Sequence, residues 1–155
     1  MEKQATKTMF LFMIMGFFAG MMSPIQTSIN GKLRTAVGSP LVASMISFLI
    51  GTIALFIICL IIEKRVTFKL RGVGKVPWWI FTGGLLGVFF ITSNILLLPV
   101  LGSAMVVVLA ICGQMVMALL IDHFGWFGVI RHPINRYRII GVAIMLIGVV
   151  LIQKF

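Results

Sequence analysis

The chain has 155 residues, of which 61% are hydrophobic and 10% charged, and its 13 Lys and Arg residues outnumber its three acids. Soluble domains carry about 25% charged residues, so this composition excludes a water-soluble domain with its own buried core. The positive charges lie beside the apolar stretches and form no basic helix or aromatic platform, which argues against nucleic acid as a partner.

Five long apolar stretches make up most of the chain and predict five transmembrane helices. In chain order they are residues 9–29, 41–62, 78–98, 103–121 and 139–152. A bilayer core about 30 Å thick needs about 20 helical residues, which the first four stretches supply. The fifth is shorter, but side chains flanking it can reach toward the interfaces and lengthen it. The predicted fold is therefore an all-α integral membrane protein, with residues 1–155 forming one five-helix transmembrane domain.

Proline and glycine residues indicate where these helices begin, bend and end. Pro24 lies inside the first helix, where it removes a backbone hydrogen bond and predicts a kink. Ser39 and Pro40 supply a capping hydroxyl and then a proline at the start of the second helix. Pro99 and Gly102 predict a short turn between the third and fourth helices.

The distribution of positive charge predicts the orientation in the membrane. With five spans, the N-terminus and the loops after the second and fourth helices share one side, which holds ten Lys and Arg residues. The other side holds three, Lys32, Arg34 and Lys154. Because cytoplasmic loops carry an excess of Lys and Arg, we expect a multi-pass plasma membrane protein with a cytoplasmic N-terminus and an external C-terminus.

Polar side chains within the apolar stretches indicate a candidate substrate site. Ser, Asn and Gln often only link membrane helices, but amides on three helices are more than packing requires. The deepest is Gln114, and because an unpaired amide in lipid is costly, it is expected to face the bundle interior, another subunit or water. The sequence predicts a polar substrate cavity lined by Gln26, Asn30, Ser47, Asn94 and Gln114.

Other residues are predicted to support the bundle. Small residues on the third helix allow close helix contact, namely Gly83, Gly84 and Gly87. Asp122, at the cytoplasmic end of the fourth helix, is expected to form a structural ion pair with Arg136 or Arg138.

The residues that usually carry chemistry are absent from the centres of the spans. No carboxylate or histidine lies there, so proton exchange at a buried acid has no candidate. Cys59 and Cys112 have no metal-ligand spacing and are interpreted as small apolar helix residues. The sequence also contains no pattern of an enzyme site, so we expect no enzymatic activity, no metal and no cofactor.

A series of short motifs resembles one known family. The motifs are GSP at 38–40, PWW at 77–79, GQ at 113–114 and IDHFG at 121–125. With the intervening glycines they are similar, over about residues 16–151, to the YdcZ-like family of five-helix proteins in the drug/metabolite transporter superfamily. The resemblance implies a half-transporter, completed by a second five-helix unit in the opposite orientation. Related small multidrug resistance proteins use an acid in the first helix, where this chain has Gln26, so polycation export by that mechanism is not expected.

The functional hypothesis is a transporter subunit that moves a small polar or amphipathic metabolite or drug through a cavity formed by an antiparallel dimer. Its expected partners are the lipid bilayer, the small-molecule substrate and a second five-helix subunit. That subunit is either a copy of this chain or an oppositely oriented paralogue, and ten positive charges against three favour the paralogue, because they favour a single orientation of this chain. Two alternatives are a passive facilitator or channel for a small neutral solute, and a non-transporting assembly or regulatory subunit.

Overall fold

The computed structural model describes the backbone of residues 2–62 and 77–154, and the side chains of residues 8–62, 77–152 and 154. Four α-helices follow one another in this part of the chain: α1 Glu2–Val37, α2 Pro40–Ile62, α3 Gly83–Phe124 and α4 Arg136–Lys154. Short 3₁₀-helices at Trp78–Thr82 and Trp126–Gly128 flank α3. The described residues contain no strand, which confirms the all-α class. The basic loop at 64–75, on which the predicted orientation partly depends, lies outside the described residues.

Three of the helical stretches are long and apolar enough to cross a membrane. By length and composition they are Thr8–Val37, Pro40–Ile62 and Trp78–Phe124. The last has 47 residues, about twice what one crossing needs. The predicted number of five spans stays a prediction.

Helix α1 ends at Val37 and not at residue 29, so the predicted boundary is wrong. The prediction ended the helix where its first charged residues appear, but charged side chains are tolerated near the end of a membrane helix. The actual stop is Gly38, whose φ of +73° suits glycine. Its backbone N–H donates to the Arg34 carbonyl at 2.9 Å, as in a left-handed helix cap. Asn30 and Arg34 are consequently helical.

Helix α2 begins as predicted. Its first residue is Pro40, and the Ser39 Oγ accepts a hydrogen bond from the Val42 backbone N–H at 3.4 Å. A proline without an N–H fits the first helical position, and the serine hydroxyl satisfies one of the unpaired N–H groups at the helix start.

The predicted turn between the third and fourth helices lies at Gly102, where two helical segments meet at a kink. The helix continues through Pro99, and Gly102 leaves helical geometry, with φ of 75° and ψ of 165°. This region of the Ramachandran map is essentially restricted to glycine, so the break is encoded at that position. Pro99 has no N–H to donate to the Ile95 carbonyl, and Arg34 of α1 donates a hydrogen bond to that carbonyl instead.

Helix α4 starts three residues earlier than predicted, at Arg136. The reason is a capping residue: the Asn135 Oδ1 accepts a hydrogen bond from the Arg138 backbone N–H at 2.9 Å. Asn at this position satisfies an otherwise unpaired N–H group and fixes the helix start.

The chain divides into two compact units, Met1–Val100 and Leu101–Phe155. In the first unit α1 packs against α2, and the fully buried apolar residues are Ala43 and Ile95. In the second, the buried apolar residues are Met105, Val106, Cys112 and Val149. Most other large apolar side chains of the described chain are exposed, as expected for helices whose outer solvent is lipid.

Candidate substrate cavity

Polar residues occupy the centre of the first unit. Of its six buried residues in the described chain, four are polar: Thr27, Asn30, Ser44 and Asn94. On α1 the first two are three residues apart, a spacing that places them on one face of the helix. A polar centre is unusual in a chain with membrane-spanning helices, because polar groups in lipid are costly unless they are hydrogen-bonded or reached by water.

Two hydrogen bonds join these polar residues across helices. The Asn30 Nδ2 donates to the Ser47 Oγ at 3.3 Å and thereby connects α1 with α2. The Ser44 and Thr92 hydroxyls lie 2.9 Å apart and connect α2 with α3. The Asn30 side chain, only 4% exposed, uses one of its donors in this way, and its carbonyl oxygen has no partner among the described residues. One hydrogen-bond donor and one acceptor of this amide are therefore free for a ligand.

A cavity of about 360 Å³ opens beside Asn30. Three of the five predicted substrate-binding residues line it, Gln26, Asn30 and Ser47, of which Gln26 is exposed and Ser47 half-buried. The remaining wall is apolar and consists of Met22, Ile25, Ile29, Leu33 and Ile50. A few convergent polar groups in an apolar pocket are typical of a small-molecule site.

The other two predicted substrate-binding residues lie elsewhere. Asn94 is 7% exposed on α3 of the same unit, does not line this cavity and forms no hydrogen bond with the described residues. Gln114 belongs to the second unit, where its side chain is exposed. Its predicted role at a polar cavity stays a prediction.

Arg34 is a functional candidate that the sequence did not reveal. Its Nη1 donates to the Ile95 carbonyl at 3.1 Å, linking α1 to α3. In a regular helix that carbonyl would accept from the residue four positions later, which is Pro99 and has no N–H. Arg34 therefore satisfies the carbonyl that Pro99 leaves unpaired. The proline was a usable signal, but nothing in the sequence shows which donor reaches Ile95.

Asp122 forms an ion pair at the C-terminal end of α3. Its Oδ2 lies 3.1 Å from the Arg138 Nη1, so of the two predicted partners it is Arg138 that binds. Arg136 instead lies over the Tyr137 ring, 5.8 Å from its centroid. The Asp122 carbonyl also accepts the His132 backbone N–H at 2.8 Å. These bonds connect the end of α3 to the segment before α4, although the predicted structural role of the pair stays untested.

The predicted structural glycines differ in their surroundings. A Cβ on Gly87 would lie 3.2 Å from the Phe48 ring of α2, so the side chain of α2 lies unusually close to the α3 backbone there. Gly83 and Gly84 have open space in the described chain, and their packing role stays a prediction. Pro24 is half-buried within α1, which continues as an α-helix across it.

Comparison with known proteins gives one family match. The family model described as "Putative inner membrane exporter, YdcZ" matches residues 11–151, nearly the whole chain. No curated protein and no solved structure matches the chain.

Proposed function

Because the chain belongs to the YdcZ family of the drug/metabolite transporter superfamily, we propose that it is a transporter subunit exporting a small polar or amphipathic metabolite or drug. The family supports an inner membrane exporter, a class of multi-pass membrane protein and not of enzyme. The finer points of the proposal are the substrate site, the number of crossings and the dimer.

The observation that carries the substrate site is the buried amide of Asn30 beside the 360 Å³ cavity. Its free donor and acceptor suit a substrate group that can both accept and donate a hydrogen bond. Met22, Ile25 and Leu33 on the wall suit an apolar body attached to that group. We place Gln26, Asn30 and Ser47 in direct contact with the substrate, and we propose Asn94 and Gln114 as further substrate-binding residues.

The length of the helical stretches supports the proposal of five crossings. The 42 residues of α3 are about twice the roughly 20 that one crossing needs. The glycine-specific break at Gly102 divides this helix, so that 83–101 and 103–124 each supply one crossing. Helix α4, with 19 residues, supplies the fifth. An odd number of crossings places the two termini on opposite sides.

We propose that a second unit in inverted orientation completes the cavity, as inverted repeats do in many transporters. The lipid bilayer, this second unit and the substrate are the partners of the chain. Ten positive charges against three favour insertion with the N-terminus in the cytoplasm, which makes an oppositely biased paralogue the favoured partner. Reporter fusions to the C-terminus test this orientation: an external signal alone supports the paralogue, and equal signals on both sides establish a dual-topology homodimer.

The test of the function is substrate flux in liposomes that contain the purified protein, alone and with a co-expressed partner, against a panel of polar and amphipathic metabolites. Asn30→Leu keeps the branched shape of the side chain but removes its amide, and should lower flux by about tenfold or more, since each 1.4 kcal/mol is a factor of ten. Thr52→Val is the matched control, because Thr52 is exposed and its hydroxyl bonds only its own helix, at the Phe48 carbonyl. Full flux in a folded Asn30→Leu protein would contradict the site.

A passive facilitator for a neutral solute is the second candidate. Gln26, Asn30 and Ser47 do not titrate in the physiological range, and the cavity wall includes no acid or histidine. Flux that follows the solute gradient and ignores an imposed proton gradient would favour the facilitator. Flux driven by the proton gradient would favour a coupled exporter. No flux of any panel member, with a stable complex formed instead, would favour an assembly or regulatory subunit.

A further inference from the structure

A second cavity lies at the C-terminal end of α1, and it differs in chemistry from the Asn30 cavity. Its volume is about 630 Å³, and it shares no lining residue with the other. Two cationic side chains, Lys32 and Arg34, line it together with the hydroxyl residues Ser28 and Thr35.

Among the described residues, no acidic side chain compensates the positive charge of this cavity. The sequence contains no Asp or Glu from residue 3 to 62, and none from 64 to 121. In the part of the chain that the structure describes, Asp122 and Arg138 of the other unit form an ion pair. Neither Lys32 nor Arg34 forms one there. The end of a helix carries about half a negative charge, which two full positive charges exceed. The cavity therefore attracts anions.

The guanidinium of Arg34 is already held in place. Its bond to the Ile95 carbonyl uses one of its N–H donors and leaves the rest of the planar group free. A fixed guanidinium loses little side-chain freedom when it binds a carboxylate or phosphate, and its geometry matches both. Lys32 is exposed and can add a second, more mobile positive charge.

The rest of the wall is apolar. Ile95, Leu98 and Pro99 of α3 also line the cavity. A small inorganic anion would leave this surface unoccupied, whereas an anion attached to a hydrocarbon body would cover it. We propose that this cavity binds an amphipathic anion, with a phosphate or carboxylate on Lys32 and Arg34 and an apolar body against α3.

Two sources can supply this chemistry in a membrane, the headgroup of an anionic lipid and a free amphipathic anion. The proposal does not rest on transport, because binding is measured at equilibrium. A failure of flux in liposomes would not contradict anion binding at this cavity. A failure of anion binding would not contradict the substrate site at Asn30.

The test is calorimetric titration of the full chain, in a neutral maltoside detergent, with octyl phosphate as the probe and octyltrimethylammonium as the cationic control. Lys32→Gln should weaken octyl phosphate binding by about tenfold, a typical effect of losing one charged hydrogen bond. Lys154→Gln is the matched control, since it removes one Lys charge outside the cavity, and should change binding by less than about twofold.

Displacement of octyl phosphate by added phosphatidylglycerol identifies a lipid headgroup as the ligand, and no displacement identifies a free anion. Equal affinity for the two octyl probes, or unchanged binding in Lys32→Gln, would overturn the proposal.

Discussion

The two units of the chain bury different kinds of residue. In the described part of the first unit, polar residues form most of the centre, whereas the buried residues of the second are Met105, Val106, Cys112 and Val149. In water the second arrangement would be the stabilising one. In a bilayer the lipid is as apolar as the core, so burial of apolar side chains provides little drive, and packing and polar contacts decide the association of helices.

This difference indicates where the function lies. An apolar centre of the second kind requires only good packing, because none of its side chains needs a hydrogen-bond partner. Asn30 and Asn94, in contrast, are buried residues whose amides the described chain does not fully bond, and their free polar atoms remain accessible, since no fully buried side-chain N or O atom of the described residues lacks a partner. Such groups persist where a substrate or water completes their bonds. The first unit is therefore the part of the molecule in which substrate contact is expected.

The largest expected effect on stability concerns the bond of Arg34 to the Ile95 carbonyl. Arg34→Gln should lower the free energy of unfolding by roughly 1–3 kcal/mol, because the carbonyl loses its donor and Pro99 cannot replace it. Pro99→Ala restores an N–H four residues after Ile95, so the same substitution should cost about half as much or less in that background. Reversible unfolding in mixed micelles measures both costs. Equal costs with and without Pro99 would show that Arg34 does not act through this carbonyl.

A smaller effect is expected for the polar pair of the second unit. The paired side chains of Asp122 and Arg138 are 31% and 34% exposed, and such partly exposed pairs contribute about 0–1 kcal/mol. Asp122→Asn should lower stability by no more than this and leave the pH profile of flux unchanged. Arg136→Gln, which removes a charge outside the ion pair, is the control. Loss of pH dependence in a stable Asp122→Asn protein would identify Asp122 as a coupling residue and move part of the function into the second unit.

Gln114 offers a finer test, with little effect on stability. Its side chain is exposed on the outer surface of the second unit, so it faces lipid, a partner or a water-filled cavity formed with one. Gln114→Cys, with Cys59→Ser and Cys112→Ala, should react with a small water-soluble thiol reagent. Met115→Cys lies at nearly the same depth, about 100° around the helix, and should react much more slowly. Equal protection at both positions would restrict the polar pathway to the first unit.

The parts of the fold that depend on local chemistry were predictable. Ser39 and Pro40 start α2 as expected, Gly102 interrupts α3, and hydrophobicity indicates the three stretches that are long and apolar enough to cross a membrane. The end of α1 was missed because charge was taken as the boundary, although Gly38 is the stronger stop signal.

The candidate site was predictable only in composition. The sequence indicates that buried amides matter, but the approach of Asn30 to Ser47 depends on how α1 and α2 pack. The contact of Arg34 with Ile95 spans 61 positions, and no local pattern selects that donor among 13 cations. Both pairings arise from tertiary packing, which local sequence patterns do not reveal.

The central claim is that the polar centre of the first unit is open to water while the centre of the second is dry. Ser47→Cys in a Cys59→Ser background tests it in one molecule, since Cys112, buried in the second unit, serves as the internal reference. The protein, in liposomes or nanodiscs, is treated with a small membrane-impermeant thiol reagent, and mass spectrometry gives the modified fraction at each position. We predict modification at position 47 at least about tenfold faster than at Cys112, because only a solvated thiol forms the reactive thiolate readily. Equal rates at the two positions, or faster modification of Cys112, would contradict the account.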